Sequence, residues 1–236
     1  ASGRHDGLKR PTCILTLLFL DFCPRFSVSS ALRPGETQMR TYQLMALISA
    51  VAVSGTSTQR HDAIQPVDVT IYLTGADLVP NLENRIAIST VKWMFARIGV
   101  RLAAVNGQPK PAASPDGSVA ILVVFTTHAP GRSHCEAVAY ASLHAEAVPR
   151  ITVLWDRIQS LGEDSERESQ LLAHVLAHEI GHVLKCTDGH AAAGVMKARW
   201  NAEDLDAMNK KPLEFISGDA YLIREGIIRL KARNIR

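Results

Sequence analysis

His178-Glu179-Ile180-Gly181-His182 sets two imidazoles four residues apart, with a carboxylate beside the first. On a helix, residues i and i+4 share a face one turn apart, so both rings can reach one metal ion. Glu179 then stands next to the ion without binding it, where a general base for a metal-bound water belongs. The chemistry implied is zinc-assisted hydrolysis. The ion polarises a carbonyl and lowers the pKa of its water toward about 7. Glu179 takes the water proton and later delivers it to the leaving amine.

Such a motif needs a helix, and the flanking residues supply one. From Glu166 to Lys185, Leu171, Leu172, Val175, Leu176, Ile180, Val183 and Leu184 recur at three- and four-residue steps. That spacing predicts an amphipathic helix with one buried stripe. Glu163, Asp164, Glu166 and Glu168 gather where a helix N-terminus favours acids, with Ser165 as N-cap and Glu168 completing a capping box. Gly181 costs the helix on the order of 1 kcal/mol relative to alanine, so something must approach closely there.

A catalytic zinc site takes a third protein ligand and leaves the fourth position to water. His174 is one turn before His178, but the rise from His174 to His182 is about 12 Å, too far for one ion in a straight helix. It reads as a packed residue or a support for the site. The third ligand must come from beyond the helix, and both Asp188 and His190 are candidates. His190 is preferred, because neutral imidazole is the commonest metal ligand. Gly189, free of a Cβ, would also let the chain fold back and aim the next side chain at the helix.

The stretch Lys185-Cys186-Thr187-Asp188-Gly189-His190, followed by Gly194-Val195-Met196-Lys197-Ala198-Arg199-Trp200, resembles the metzincin-like zinc peptidases. That group follows its two-histidine helix with a turn, a third ligand and a methionine beneath the metal. The usual glycine three residues after the second histidine is here Lys185, so the pattern is broken at that point. The usual third-ligand position holds Asp188, as in secreted zinc proteases of the snapalysin type. A set of secreted bacterial HExxH proteins with a G-[VIL]-M-[KR] turn instead resembles this chain in placing its histidine at 190. The resemblance is specific over 171–200. It implies His178, His182 and His190 as zinc ligands, Glu179 as base, Met196 as a packing floor and a peptide or protein as substrate. No tyrosine follows Met196 closely to assist an oxyanion, which leaves Arg199 as a weaker candidate.

Other elements are legible upstream. Val67–Leu73 alternates as a strand should, Leu82–Ile98 has helical spacing, and Val100–Val105, Val119–Phe125, Ala137–Leu143 and Ile151–Trp155 read as strands. Asn106–Gly117 is a loop by composition, and Glu203–Asn209 and Ala220–Lys231 are closing helices. The expected class is α+β, zincin- or metzincin-like, with a twisted mixed sheet backing the active-site helix and a cleft along one edge strand.

The chain of 236 residues is 47% hydrophobic and 21% charged, ordinary for a globular domain. A net charge of +3 is too small to point to nucleic acid or a membrane surface. No run of 18 apolar residues suggests a membrane span, and a monomer is expected. Met39-Arg40, the apolar run Leu44–Val53 and Ser54-Gly55-Thr56-Ser57 read as a signal peptide, with a weaker signal at Lys9-Arg10 before Ile14–Leu20. The expected organisation is an upstream extension over 1–38, a signal over 39–58 and one catalytic domain over 59–236 of a secreted or periplasmic protein. Cys13 and Cys23 then fall in the leader, while Cys135 and Cys186 could pair or stay free. His128, His134 and His144 read as surface or loop residues. Two rival functions are open: a zinc-binding protein without peptidase activity, and a zinc hydrolase of a non-peptide bond. Glu179 disfavours the first, because a structural site needs no acid there.

Overall fold

Val69–Thr74 (β2), Leu102–Asn106 (β3), Val119–Thr126 (β4), Ala139–Ser142 (β5) and Arg150–Leu154 (β6) pair into one sheet of order β3-β2-β4-β6-β5. The computed structural model describes residues 19–20, 67–109, 117–128, 137–142 and 148–234. β3, β2, β4 and β6 run parallel, and β5 runs antiparallel to β6 at one edge. The class is therefore mixed α/β, with a mostly parallel sheet. The near-continuous apolar run of β4 suits a strand with both faces covered, and five of its eight residues are buried. Phe19–Leu20 (β1) pairs in parallel with Arg199–Trp200 (β7) in a separate two-stranded ladder.

Asn81–Ala96 (α1), Trp155–Gly162 (α2), Ser165–Lys185 (α3), Ala202–Lys210 (α4) and Ser217–Asn234 (α5) complete the fold. α3 packs on all four other helices and against β5. Every residue from Leu171 to Lys185 is buried. Where the sequence predicts a single apolar stripe, the helix is thus enclosed on all sides from Leu171 onward. A helix in that position must find partners for each polar group it carries, which constrains His174, His178, Glu179 and His182.

The start of α3 differs by one residue from expectation. Asp164, not Ser165, is the N-cap, and its carboxylate accepts from the Arg167 amide at 2.9 Å. α2 was not expected at all. Its N-cap, Leu154, offers no side-chain acceptor, so the usual start signal is missing. Burial of Trp155 and Ile158 holds it instead.

The turn after α3 is also made differently. The left-handed residue is Cys186, at φ 54°, rather than Gly189. The helix ends by turning its first following residue left-handed, with the Cys186 amide donating to the Val183 carbonyl at 3.2 Å. Cys186 is a free, exposed thiol.

Cys13, Cys23, Cys135, His134 and His144 lie outside the described residues, as do the leader over 1–38 and the signal over 39–58 apart from the backbone of β1. Among the described residues no helix is long and apolar enough to cross a membrane.

A non-glycine residue in the left-handed region costs about 1–2 kcal/mol, partly offset by the greater unfolded-state freedom of glycine. Cys186→Gly is therefore expected to stabilise the protein by about 0.5–1 kcal/mol. The measurement is the urea midpoint. An unchanged or lower midpoint would mean that the Cys186 side chain contributes more than its backbone costs.

Candidate metal centre

The helix delivers its two histidines as the spacing requires. The Nε2 atoms of His178 and His182 stand 3.0 Å apart, and both residues are 0% exposed. What fixes their rings is backbone from outside the helix. His178 Nδ1 lies 2.8 Å from the Val195 carbonyl, and His182 Nδ1 lies 2.8 Å from the Thr187 carbonyl. A carbonyl oxygen only accepts, so each Nδ1 carries the proton and donates it. Each Nε2 is then a bare lone pair as long as the ring is neutral.

Burial keeps them neutral. It depresses the His178 pKa well below its ordinary value, with neighbouring His182, His190 and Lys185 adding to the effect. Burial likewise brings His182 down to about 4. Two lone pairs therefore face each other across 3.0 Å. Without a cation between them that contact is repulsive.

His190 joins this pair. One ring nitrogen from each of His178, His182 and His190 falls within 4.8 Å of the others. The His190 ring meets His182 nearly edge-on, at 4.8 Å between centroids and 75°. His190 is exposed, and burial together with Lys185 lowers its pKa too. Asp188 is exposed and outside this group. Its charge acts only from a distance, favouring protonation of His182 and His190.

Glu179 is 0% exposed, and among the described residues neither carboxylate oxygen has a hydrogen-bond partner. Burial pushes its pKa well above the usual carboxylate range, and the Ala141 amide of β5 acts in the opposite direction. That amide faces the carboxylate without closing a normal hydrogen bond. An unpartnered buried carboxyl group is costly, and it marks a place where something polar is bound.

Met196 explains the glycine in the motif. A Cβ on Gly181 would stand 2.5 Å from Met196 Sδ and 3.4 Å from the Phe215 ring. The methionine sits in a tight turn, closed by the Lys197 amide donating to the Gly194 carbonyl at 3.2 Å, and is fully buried. The close approach expected at Gly181 is thus protein, not substrate. The same turn presents the Val195 carbonyl to His178. Trp200, buried on β7, stands edge-on to His178 at 5.6 Å and to His174 at 6.1 Å. Sequence reasoning gave no role to Trp200. Arg199, the oxyanion candidate, is exposed on the same strand.

His174 is a packed residue. Its Nδ1–H donates to the Gln170 carbonyl at 2.6 Å, and its Nε2 accepts from the Leu213 amide at 2.9 Å. Both nitrogens are satisfied, which ties α3 to the segment before α5. His128 is exposed, with Nδ1 2.8 Å from the Thr127 hydroxyl.

The residues present fit a zinc ion. The donors are neutral imidazoles held by carbonyls through their far nitrogens, as metal-ligating histidines commonly are. The nitrogens of tetrahedral zinc are about 3.3 Å apart, close to the observed separation of the helix pair.

No family model matches the chain, and no curated protein matches it. Among solved structures, it is similar to a zinc-dependent peptidase from Methanocorpusculum labreanum, at 12% identity and a TM-score of 0.43. The match covers 66% of this chain and 99% of that one. At that score the likeness carries no argument, and the functional reading rests on the geometry above.

Burial lowers the His174 pKa to about 4, against about 6.5 unfolded. As pH falls below about 6.5 the unfolded chain takes up the proton first. Stability is therefore complete above that pH and is lost on the way down to about 4, by about 3 kcal/mol for such a group. His178 and His182 act in the same direction in zinc-free protein. His174→Gln keeps a donor and an acceptor but cannot titrate. With chelator present, it is expected to be less stable than wild type at pH 7 and to lose less between pH 7 and pH 4.5. Equal losses in urea unfolding would show that His174 does not contribute to the acid sensitivity.

Proposed function

We propose that this chain is a zinc-dependent hydrolase, specifically a metzincin-like metallopeptidase that holds one zinc ion on His178, His182 and His190. The observation that carries the reading is the pair of facing Nε2 lone pairs beside a buried, unpartnered carboxylate. Neutral packing of two histidines explains neither feature, and a cation with a bound water explains both. Zinc at this place would supply Lewis acidity for a carbonyl and lower the pKa of a coordinated water to about 7.

The chain's own groups do the rest. His178 and His182 are oriented by the Val195 and Thr187 carbonyls, so little ordering remains when they bind. His190, an exposed residue, would complete the set. Glu179, with its raised pKa, is suited to accept a proton near neutrality once a nearby positive charge favours its ionised form. The same group then returns the proton to the departing amine.

Met196 packs beneath the histidines as a floor and does not bind. β5 is a sheet edge, and its Ala141 faces Glu179. An extended peptide that added to this edge would lie beside the histidines, which favours a peptide over other carbonyl substrates. A zinc site with a purely structural role has no use for a buried, unpaired Glu179. Export rests on the Met39 to Ser57 pattern alone, and the mass of the mature chain recovered from the producing cell tests it.

Wild-type protein is expected to take up one zinc per chain. Glu179→Gln should hold the same amount while peptide hydrolysis falls by a factor on the order of 100 or more. Undiminished turnover in that variant would place the activity elsewhere.

His190→Ala is expected to lose most of the zinc affinity, because two imidazoles cannot hold the ion tightly. Asp188→Ala should weaken it by no more than about 10-fold, acting through charge alone. Chelator competition reads both. The reverse ranking would transfer the ligand role to Asp188.

A further inference from the structure

Lys185, the last residue of α3, is an ammonium group almost wholly withdrawn from water. Its side chain is 3% exposed and that of its partner Asp219 is 6% exposed. Nζ donates to Asp219 Oδ1 at 2.7 Å and to the Gly189 carbonyl at 3.0 Å. The pair is incompletely satisfied, since Asp219 Oδ2 is buried with no partner among the described residues. A buried ion pair of this kind is weak evidence for stability, because well-packed apolar residues often serve as well or better. Its presence calls for a reason other than holding two helices together.

We infer that Lys185 is a positioning residue for the metal centre: its ammonium, neutralised by Asp219, clamps the Gly189 carbonyl and so sets where His190 stands. This rests on the reading of His190 as a zinc ligand. The Gly189 carbonyl belongs to the planar peptide unit that also contains the His190 amide. Holding its oxygen fixes the plane from which His190 departs. The peptide unit on the other side is held as well, by the Ala191 amide donating to the Met196 carbonyl at 2.7 Å. Thr187, further back, is held by His182. Both peptide planes that flank His190 are thus fixed, one by Lys185 and one by the methionine turn.

The anchor itself is rigid. Asp219 lies in the first turn of α5, and Gly226 lets that helix press its backbone against the Leu184 carbonyl at the end of α3. A Cβ at position 226 would collide with that carbonyl. Placement of the third ligand is therefore coupled to the docking of α5, an element that contributes no ligand. A lysine at a helix C-terminus also gains from the helix dipole, but that gain needs neither burial nor a carboxylate from another helix.

The test is zinc affinity, together with the visible spectrum of the cobalt-substituted protein, which reports coordination geometry independently of turnover. Lys185→Met with Asp219→Leu removes both charges and leaves none buried alone. This double variant is expected to fold, to bind zinc 10- to 100-fold more weakly than wild type, and to show a weakened or shifted cobalt spectrum. Lys185→Gln with Asp219→Asn makes the same removal with neutral, hydrogen-bonding side chains. Glutamine is too short to span both contacts, so the same loss is expected, and this variant answers the question if the apolar pair does not fold. Wild-type affinity with an unchanged cobalt spectrum in a folded variant overturns the positioning role and leaves the zinc reading intact. A wild-type chain that takes up no zinc overturns both.

Discussion

Two backbone carbonyls decide the character of this protein. By accepting Nδ1–H from His178 and His182, Val195 and Thr187 force both bare Nε2 atoms to face each other across 3.0 Å. Burial removes the alternative of protonating one of them. The rest of the local structure exists to bring those carbonyls to the helix. Val195 arrives on the turn that carries Met196, and that turn can approach only because position 181 has no Cβ. Thr187 arrives because α3 ends at a left-handed Cys186 and turns back on itself. A glycine in a helix, a cysteine in the left-handed region and a buried ammonium each cost stability, and all lie within one turn of the histidines. Unfavourable local choices concentrated in this way are typical of a site and not of a scaffold.

Glu179 belongs to the same logic. A carboxyl group in the enclosed stretch of α3, with no donor among the described residues satisfying it, weakens the fold unless a ligand completes it. The central position of α3 makes this worse, because no solvent reaches the group. The sheet and four surrounding helices supply the apolar burial that tolerates it, with Leu172, Leu176, Ile180 and Leu184 all at 0% exposure. The large core and the costly site are two aspects of one helix.

Much of this was legible in the sequence, for definable reasons. The helix, its two histidines and Glu179 follow from i, i+4 geometry, which is local. The five strands fall close to their expected positions, because alternation and apolar runs are local too. What escaped depends on contacts between distant segments. Glu166 to Lys185 reads as a helix with one buried stripe, and only the fold shows that every face is covered from Leu171 onward. α2 lacks a side-chain cap and is held by Trp155 and Ile158, so no start signal announced it. The left-handed turn that ends α3 falls on Cys186, a residue type that gives no signal for that conformation. The close approach at Gly181 is legible as a need but not as a partner, because Met196 comes from a segment 15 residues away. Lys185 looked like a break in a known pattern, and its partner Asp219 is 34 residues away.

The proposed ligand set is asymmetric because of how each part is held. His178 and His182 stand on a rigid helix with their rings locked, so their separation is set during folding and not by the ion. His190 stands on an exposed loop. A site with two donors on a rigid helix and a third on an exposed loop has its affinity governed by the third, because there binding still costs most ordering. That cost falls as the flanking peptide planes are fixed in advance. It cannot fall to nothing by burying the loop, because on the proposed reading a substrate enters from the side that the loop borders. The loop has to be held from beneath while its outer face stays in water. Ties that reach its backbone from inside the protein, from His182, Lys185 and Met196, meet both demands at once.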